Sequence, residues 1–506
     1  MPDSLKLADL KSVLRRYWGY GEFRPLQQRI VESLIGGHDC AVIMPTGGGK
    51  SLCYQLPAVV SERTAVVVSP LIALMQDQAA ALEQMGIPAA ALNSQIDWPA
   101  QQQVMRRAEK GEYRLLYVSP ERLLREGFID FLGRVPLAFF AIDEAHCISE
   151  WGHEFRPEYR QLRRLRELFP ECPIAAFTAS ATRQVRHDIL RQLSLRDPHK
   201  YIASFHRPNL NYHVKLTDSK TQGQILLAGM EAYRDSTVII YSPTIARVGE
   251  TVRFLQKSGI AAIPYHGKME NEERSRNQEL WMSDEVRVLV GTIAFGLGIN
   301  KPSVRAVIHL ALPKSIEQYY QEAGRAGRDS APADCVLLWQ TRDAGLLAYF
   351  NNQIADAPER QRAWDSYHAI RKFAESDACR HRQICLHFGE TPKWERCDAC
   401  DVCAEPLDWT IQQRARPVSA LPRPASAAPE PALLQHMRVW RRDFARRRGV
   451  PAFMILNDAA LADLCRREPD TIDQLLAVNG IGEKKAQSFG SDILAELQKF
   501  RLLENR

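Results

Sequence analysis

Pro45-Thr46-Gly47-Gly48-Gly49-Lys50-Ser51 sets three glycines ahead of a lysine and a hydroxyl, after an apolar run. Glycines let backbone N–H groups close around phosphates, a lysine reaches the β- and γ-phosphates, and a serine hydroxyl ligates Mg2+. The strict pattern has glycine where this chain has Met44, so the segment alone can also be read as a glycine-rich turn. Further on, the apolar run Leu137–Ile142 leads directly into Asp143-Glu144-Ala145-His146. Acids at the carboxyl end of a parallel strand stand where such sheets bind ligands. Asp143 there suits Mg2+, and Glu144 suits an attacking water. Surface Asp-Glu pairs are mostly solvated, but one that follows a buried strand downstream of a phosphate loop is expected to complete a nucleotide hydrolase. Arg325 and Arg328, in Gln321–Asp329, are three apart and would share one face of a helix. A permanently charged guanidinium suits the charge on a transferring phosphoryl group, whereas a merely exposed pair would do nothing.

Cys379, Cys397, Cys400 and Cys403 follow a C-x17-C-x2-C-x2-C spacing. Short spacings let a tight turn supply neighbouring thiolates to tetrahedral Zn2+. An iron–sulfur cluster is the rival, although the ferredoxin run would carry its fourth cysteine four positions on, where Leu407 stands. Six other cysteines (Cys40, Cys53, Cys147, Cys172, Cys335, Cys465) are isolated among apolar neighbours and read as small buried residues.

The elements that must position these groups are short apolar runs alternating with helix-compatible stretches. The runs are Cys40–Met44, Ala65–Val68, Leu115–Val118, Leu137–Ile142 and Ile174–Phe177, then Thr237–Tyr241, Val286–Val290, Ala306–Leu310 and Cys335–Trp339. This pattern predicts an α/β fold of two tandem parallel-sheet domains, over 1–206 and 207–345, meeting near Arg207–Asn209. A helical, cysteine-rich subdomain should span 346–406, a Pro/Ala-rich linker 407–431 and a helical bundle 432–506. The chain has 506 residues, a net charge of +6 and 45% apolar composition, which suits a soluble protein and permits a polyanionic partner. The start has no signal-peptide pattern and no stretch is apolar enough to span a membrane, so a cytoplasmic protein is expected.

In order along the chain stand FRPLQ (23–27), MPTGGGKS (44–51), SPLIALMQDQ (69–78), DEAH (143–146), TASAT (178–182), YHGKM (265–269), TIAFGLGINKP (292–302) and QEAGRAGRD (321–329). This set resembles the motifs of superfamily 2 helicases. With FRPLQ and SEWGHEFRPEY (149–159), the chain resembles the RecQ family of DNA helicases. The resemblance implies two RecA-like domains, ATP and Mg2+, and adenine held by Tyr20, Arg24 and Gln27. It also implies Thr46, Gly47, Gly48, Gly49, Lys50 and Ser51 around the phosphates, with Arg328 as the arginine finger beside Arg325. Trp151, Phe155 and Arg156 are expected to sense DNA, since aromatics stack on unpaired bases and arginine meets phosphate. The family commonly has aspartate where this chain has Asn300.

Zinc-binding RecQ proteins share the upstream cysteine and closing triplet. The tail, with Val450-Pro451-Ala452-Phe453 and Val478-Asn479-Gly480-Ile481-Gly482, resembles the helicase-and-RNase-D C-terminal domain. Its Arg441, Arg442, Arg446, Arg447, Arg448, Lys484 and Lys485 are candidates for phosphate contact or for a solvated face. Many relatives carry a winged helix after the zinc site, and 404–431 cannot hold one. The expected activity is ATP-driven 3′ to 5′ unwinding of DNA in repair and recombination, on single-stranded and tailed duplex DNA. A single-strand-binding protein is the protein partner such work suggests. Rivals are an RNA-dependent ATPase and a zinc-dependent junction-binding protein with a vestigial ATPase.

Overall fold

A computed structural model of the chain describes residues 7–93, 96–152, 154–292, 301–411, 432–448, 450 and 452–504. The first sheet contains β1 (Cys40–Ile43), β2 (Thr64–Val68), β3 (Ala89–Leu92), β4 (Leu115–Val118), β5 (Leu137–Ile142), β6 (Ile174–Thr178) and β7 (His199–Ile202), in the order β3-β4-β2-β5-β6-β1-β7. The second contains β8 (Leu210–Leu216), β9 (Thr237–Tyr241), β10 (Ala262–Tyr265), β11 (Val288–Gly291), β12 (Val304–His309) and β13 (Ala333–Trp339), in the order β10-β11-β9-β12-β13-β8. Every pairing within them is parallel. The central strands are almost wholly buried because helices cover both faces, which is why they are predominantly apolar runs. The chain passes from one sheet to the other between β7 and β8, where Arg207–Asn209 lie.

In the first sheet β5, β6 and β1 are neighbours. The acids after β5, the Thr178–Thr182 segment after β6 and the phosphate loop after β1 therefore emerge side by side at the carboxyl edge. Helices Thr341–Asn352, Ala357–Glu375 and Arg380–His387 follow the second sheet. The segment after the cysteines departs from expectation. Leu407–Ile411 does not belong to the linker: Trp409 packs on Gly229 and edge-on to Tyr233, because two large apolar side chains, Leu407 and Trp409, complete the second sheet's helical layer. The remainder, 412–431, lies outside the described residues.

The tail folds around its own core, which includes Met437, Leu461, Val478, Ile481 and Leu497. It docks on both sheet domains. The N–H of Gly480 donates to the carbonyl of Gly19 (3.0 Å), Glu483 pairs with Arg16 (3.3 Å), and Arg446 pairs with Glu285. Gly19 and Gly482 are required here, since a Cβ on either would fall 2.5 Å from the facing backbone. The candidate phosphate-binding cations divide: Arg446, Arg447, Arg448 and Lys484 are exposed and Arg442 is part-exposed, while Arg441 and Lys485 are turned inward. Arg441 is buried against Asp458 (2.8 Å), Lys485 is buried, and Arg447 and Arg448 lie over Phe444 at 5.7 and 5.2 Å. Cys172 and Cys465 are only half-buried, against the expectation of burial. Among the described residues no helix is long and apolar enough to cross a membrane.

Candidate active site

The phosphate loop turns between β1 and the helix Lys50–Val60, with Gly47 and Gly49 both at φ 82°, a conformation that glycine adopts without strain. Lys50 is the first residue of that helix, and its Nζ donates to the carbonyl of Met44 (3.2 Å). Burial holds its ammonium below the usual lysine range, while the nearby Glu144 and Asp143 oppose the shift. Arg24 Nη1 donates to the carbonyl of Gly47 (2.5 Å), and Gln27 Nε2 to that of Gly49 (3.2 Å). Gln27 Oε1 accepts from the N–H of Arg24 (2.9 Å), so this amide holds the loop and the FRPLQ segment together. Tyr20 stands exposed next to them in sequence.

Asp143 follows β5 and is buried, and burial first, then the Glu144 charge, push its carboxyl up to about 7. Glu144 sits at φ 47°, a left-handed backbone that costs a non-glycine residue about 1–3 kcal/mol and persists where the surroundings impose it. From Glu144 a polar chain crosses the domain boundary. Glu144 Oε2 lies 3.3 Å from His146 Nδ1, which lies 2.9 Å from Thr178 Oγ1. Thr178 Oγ1 donates to the carbonyl of Ser180 (3.3 Å), and Gln321 Nε2 of the second domain donates to Ser180 Oγ (2.9 Å). Sequence spacing gave no sign of this chain, because its members come from three distant segments.

Arg325 and Arg328 are not on a helix. The helix Ile316–Ala323 stops at Gly324, and the two arginines occupy the turns that follow, around Gly327 at φ 55°. Glycines at 324 and 327 end the helix and let the backbone fold back towards the first domain. Arg328 is within reach of the site, since a Cβ on Gly47 would lie 3.4 Å from its Cγ, while the Arg325 side chain is bonded by Tyr241 of the second domain. Burial, then Arg325 and Arg207, pull the Arg328 guanidinium down to about 9. Buried cations this close together are favourable only beside an anion, and a nucleotide's phosphates would supply it.

The loop after the acids is tied into the same region. Tyr159 is fully buried, and its hydroxyl donates to the carbonyl of Asp143 (3.0 Å), so it is a core residue and not a stacking one. Trp151 is half-exposed with Arg362 of the helix Ala357–Glu375 over its ring at 5.4 Å. Phe155 has Arg160 over it at 5.3 Å, and Arg156 Nη1 donates to the carbonyl of Pro70 (3.3 Å). Arg362 carried no sequence signal, since an arginine on a polar helix is ordinarily a solvated one.

The ligand atoms of Cys379, Cys397, Cys400 and Cys403 all lie within 4.8 Å of one another. Tetrahedral zinc at the usual Zn–S length sets its sulfurs about 3.8 Å apart, so the cluster fits the ion with small adjustments. The thiols bond to one another, and the bond between Cys397 and Cys400 lowers the Cys400 thiol while it raises that of Cys397. Backbone bonds between Tyr212 and both Ala399 (3.2 Å) and Asp401 (2.9 Å) stitch this knuckle to β8. Arg380 braces it through Asp401 (2.9 Å).

Known families match in the same order as these parts. Residues 24–188 match the DEAD/DEAH box helicase family and 221–330 the helicase conserved C-terminal domain. Residues 341–404 match the RecQ zinc-binding family and 430–497 the HRDC domain. The ATP-dependent DNA helicase RecQ of Pasteurella multocida is 34% identical over 97% of this chain and 93% of its own length. That of Bacillus subtilis is 30% identical over 97% and 98%, and that of Haemophilus influenzae 44% identical over 78% and 63%. Among solved structures, the DUF1998 helicase MrfA bound to DNA superposes with a TM-score of 0.56 at 19% identity, covering 70% of this chain and 54% of that one. The DEAD-box helicase Mss116 bound to single-stranded RNA superposes at 0.54 and 17%, covering 72% and 86%. At these identities the two structures support the fold, while the full-length relatives and the zinc-region match carry the family. A phosphate loop and acids on one sheet, arginines brought to them by a second, and a RecQ-type zinc knuckle behind them place this chain in the RecQ family of ATP-dependent DNA helicases.

Proposed function

We propose that the chain hydrolyses ATP to track along one DNA strand from 3′ to 5′, separating the duplex with its motor domains and zinc region. The observation that carries this is the meeting of Arg328 with the phosphate loop across the domain boundary. On this reading Lys50 and the loop Thr46–Ser51 hold the phosphates, and Tyr20 and Arg24 hold the adenine. Gln27 carries the state of the base to the loop glycines it already touches. Ser51 and Asp143 hold Mg2+, which when bound offsets the charge of the phosphate oxygens. Glu144 takes the proton of the attacking water, and Arg328 stabilises the transferring phosphoryl with Arg325 beside it. Trp151, Phe155 and Arg156 report bound DNA to Asp143 and Glu144 through the short segment that joins them. The four cysteines hold one Zn2+ as a structural ion.

Residues 404–431, between the zinc cysteines and the tail, are too few for a winged helix of about a hundred residues, so none is assigned to the strand separation. The setting we propose is cytoplasmic and nucleoid-associated, in DNA repair and recombination. Duplexes with 3′ or 5′ single-stranded tails, of DNA and of RNA, provide the test. The chain should unwind the 3′-tailed DNA with ATP and leave the 5′-tailed and RNA duplexes intact. Unwinding of the 5′-tailed DNA, or of RNA as readily, would contradict it.

A further inference from the structure

Arg207 lies in the crossing between β7 and β8, and its side chain reaches both nucleotide-facing loops. Nη1 donates to the carbonyl of Thr46 in the phosphate loop (2.9 Å). Nη2 donates to the carbonyls of Gly327 (3.1 Å) and Ala326 (3.4 Å), in the turn that carries Arg328. Nε points to Asn209 Oδ1 (3.4 Å), and Asn209 Nδ2 in turn donates to the carbonyls of Gly327 and Ala331, each at 2.9 Å. The crossing itself is anchored from behind, because His381 Nε2, on the helix next to Cys379, donates to the carbonyl of Arg207 (3.1 Å). Three parts of the molecule thus meet on one residue: the phosphate loop, the arginine turn and the zinc-bearing region.

We propose that Arg207 is a positioning residue for ATP hydrolysis, a strut between the Thr46 carbonyl and the Ala326–Gly327 carbonyls that fixes where Arg328 stands over the phosphate loop. The inference rests on the reading of Arg328 as the arginine finger. A planar guanidinium presents donors on two sides at a fixed separation, which a single ammonium on a flexible stem does not. Its donors are taken up by backbone carbonyls, so it is not a second finger. Asn209 and the Gly327 N–H to Val304 carbonyl bond (3.0 Å) hold the turn within the second domain, and Arg207 is the residue that ties it to the phosphate loop as well. Gly327 is at φ 55°, and any side chain there would strike Asn209 and the carbonyl of Ala331. Arg328 is meanwhile repelled by Arg325 and by Arg207 itself. A strut that lets the finger drift by about 1 Å would cost on the order of 100-fold in turnover.

The test uses the full chain with its zinc and four variants: Arg207→Ala, Arg207→Lys, Arg328→Ala, and the Arg207→Ala/Arg328→Ala double. The readouts are kcat and KM for DNA-stimulated ATP hydrolysis, equilibrium binding of a fluorescent ADP, zinc content and melting temperature. Arg207→Ala should lower kcat roughly 10- to 100-fold with ADP affinity, zinc and melting kept. Arg207→Lys should recover only part of the loss. The double variant should turn over no more slowly than Arg328→Ala alone, because nothing then remains to be positioned. Multiplying losses in the double variant, or a fall in ADP affinity or melting that accounts for the defect, would overturn the strut. Should Arg328→Ala itself keep normal kcat, the finger assignment fails. Should Arg328→Ala be inactive and Arg207→Ala normal, only the strut fails.

Discussion

Lys50, Asp143 and Arg328 lie near Glu144, and burial disfavours the charge that each of the three carries. If Lys50 grips the phosphates and Glu144 activates water, Lys50→Ala should abolish turnover, and Glu144→Gln should bind ATP and stall. Normal multiple turnover by either variant in a steady-state assay would remove the assignment. Trp151 faces solvent with a cation over its ring, a geometry that an unpaired base can replace. Trp151→Ala should cut the ratio of DNA-stimulated to unstimulated hydrolysis at least about tenfold, at unchanged melting temperature. An unchanged ratio would make Trp151 a packing residue. Lys485 tells a different story, since burial alone pulls its ammonium from 10.5 to about 8. The folded state therefore resists binding that proton, and below pH 8 the group costs stability by as much as about 3 kcal/mol. The cost fades as pH rises towards the unfolded value. Lys485→Met should raise the melting temperature of the tail at pH 7, with little difference by pH 10.5. The residue types of the site were legible because phosphate and metal chemistry demand them at close spacing. Arg207 and Arg362 were not, because what they do depends on partners far away in sequence.

Every strand that the apolar pattern found is internal to its sheet, and the four it passed over, β3, β7, β10 and β8, are the four edges. The reason is physical. An edge strand is covered on fewer sides and is freer to carry alanine, as in Ala89–Ala91, polar residues, as in His199 and Lys200, or a proline such as Pro264, which cannot donate to a ladder. The arginine turn shows the opposite limit, where the spacing was right and the element wrong, since Gly324 and Gly327 override the helical reading. At the zinc knuckle spacing and geometry agree. Because the knuckle is stitched to β8, loss of the ion should loosen the second sheet's edge first. Cys397→Ser should lower zinc content, melting temperature and DNA affinity while nucleotide affinity is kept. Elemental analysis of the purified chain should give one zinc per chain, and iron with a visible chromophore would contradict the site as assigned.

The molecule as a whole is two motor sheets joined at a crossing braced by the zinc region, with a tail that folds on its own core and rests against both sheets. The short segment between the zinc cysteines and the tail was what argued in the sequence against a winged helix there. The place where the tail docks was not legible, because Gly19, Gly480 and Gly482 are punctuation in a sequence and become contacts only when two domains meet. On the proposed reading the motor and zinc region part the strands, and the tail, whose Arg446, Arg447, Arg448 and Lys484 stay exposed, adjusts the grip on DNA. The direct measurement is a truncation ending at Ile411, which keeps Trp409 in its packed position, assayed beside the full chain on a 3′-tailed DNA duplex at saturating protein. It should hydrolyse ATP, translocate and still unwind, with at most a weaker grip on DNA. Translocation at the full rate with no strand separation would place the wedge in the tail and contradict the account.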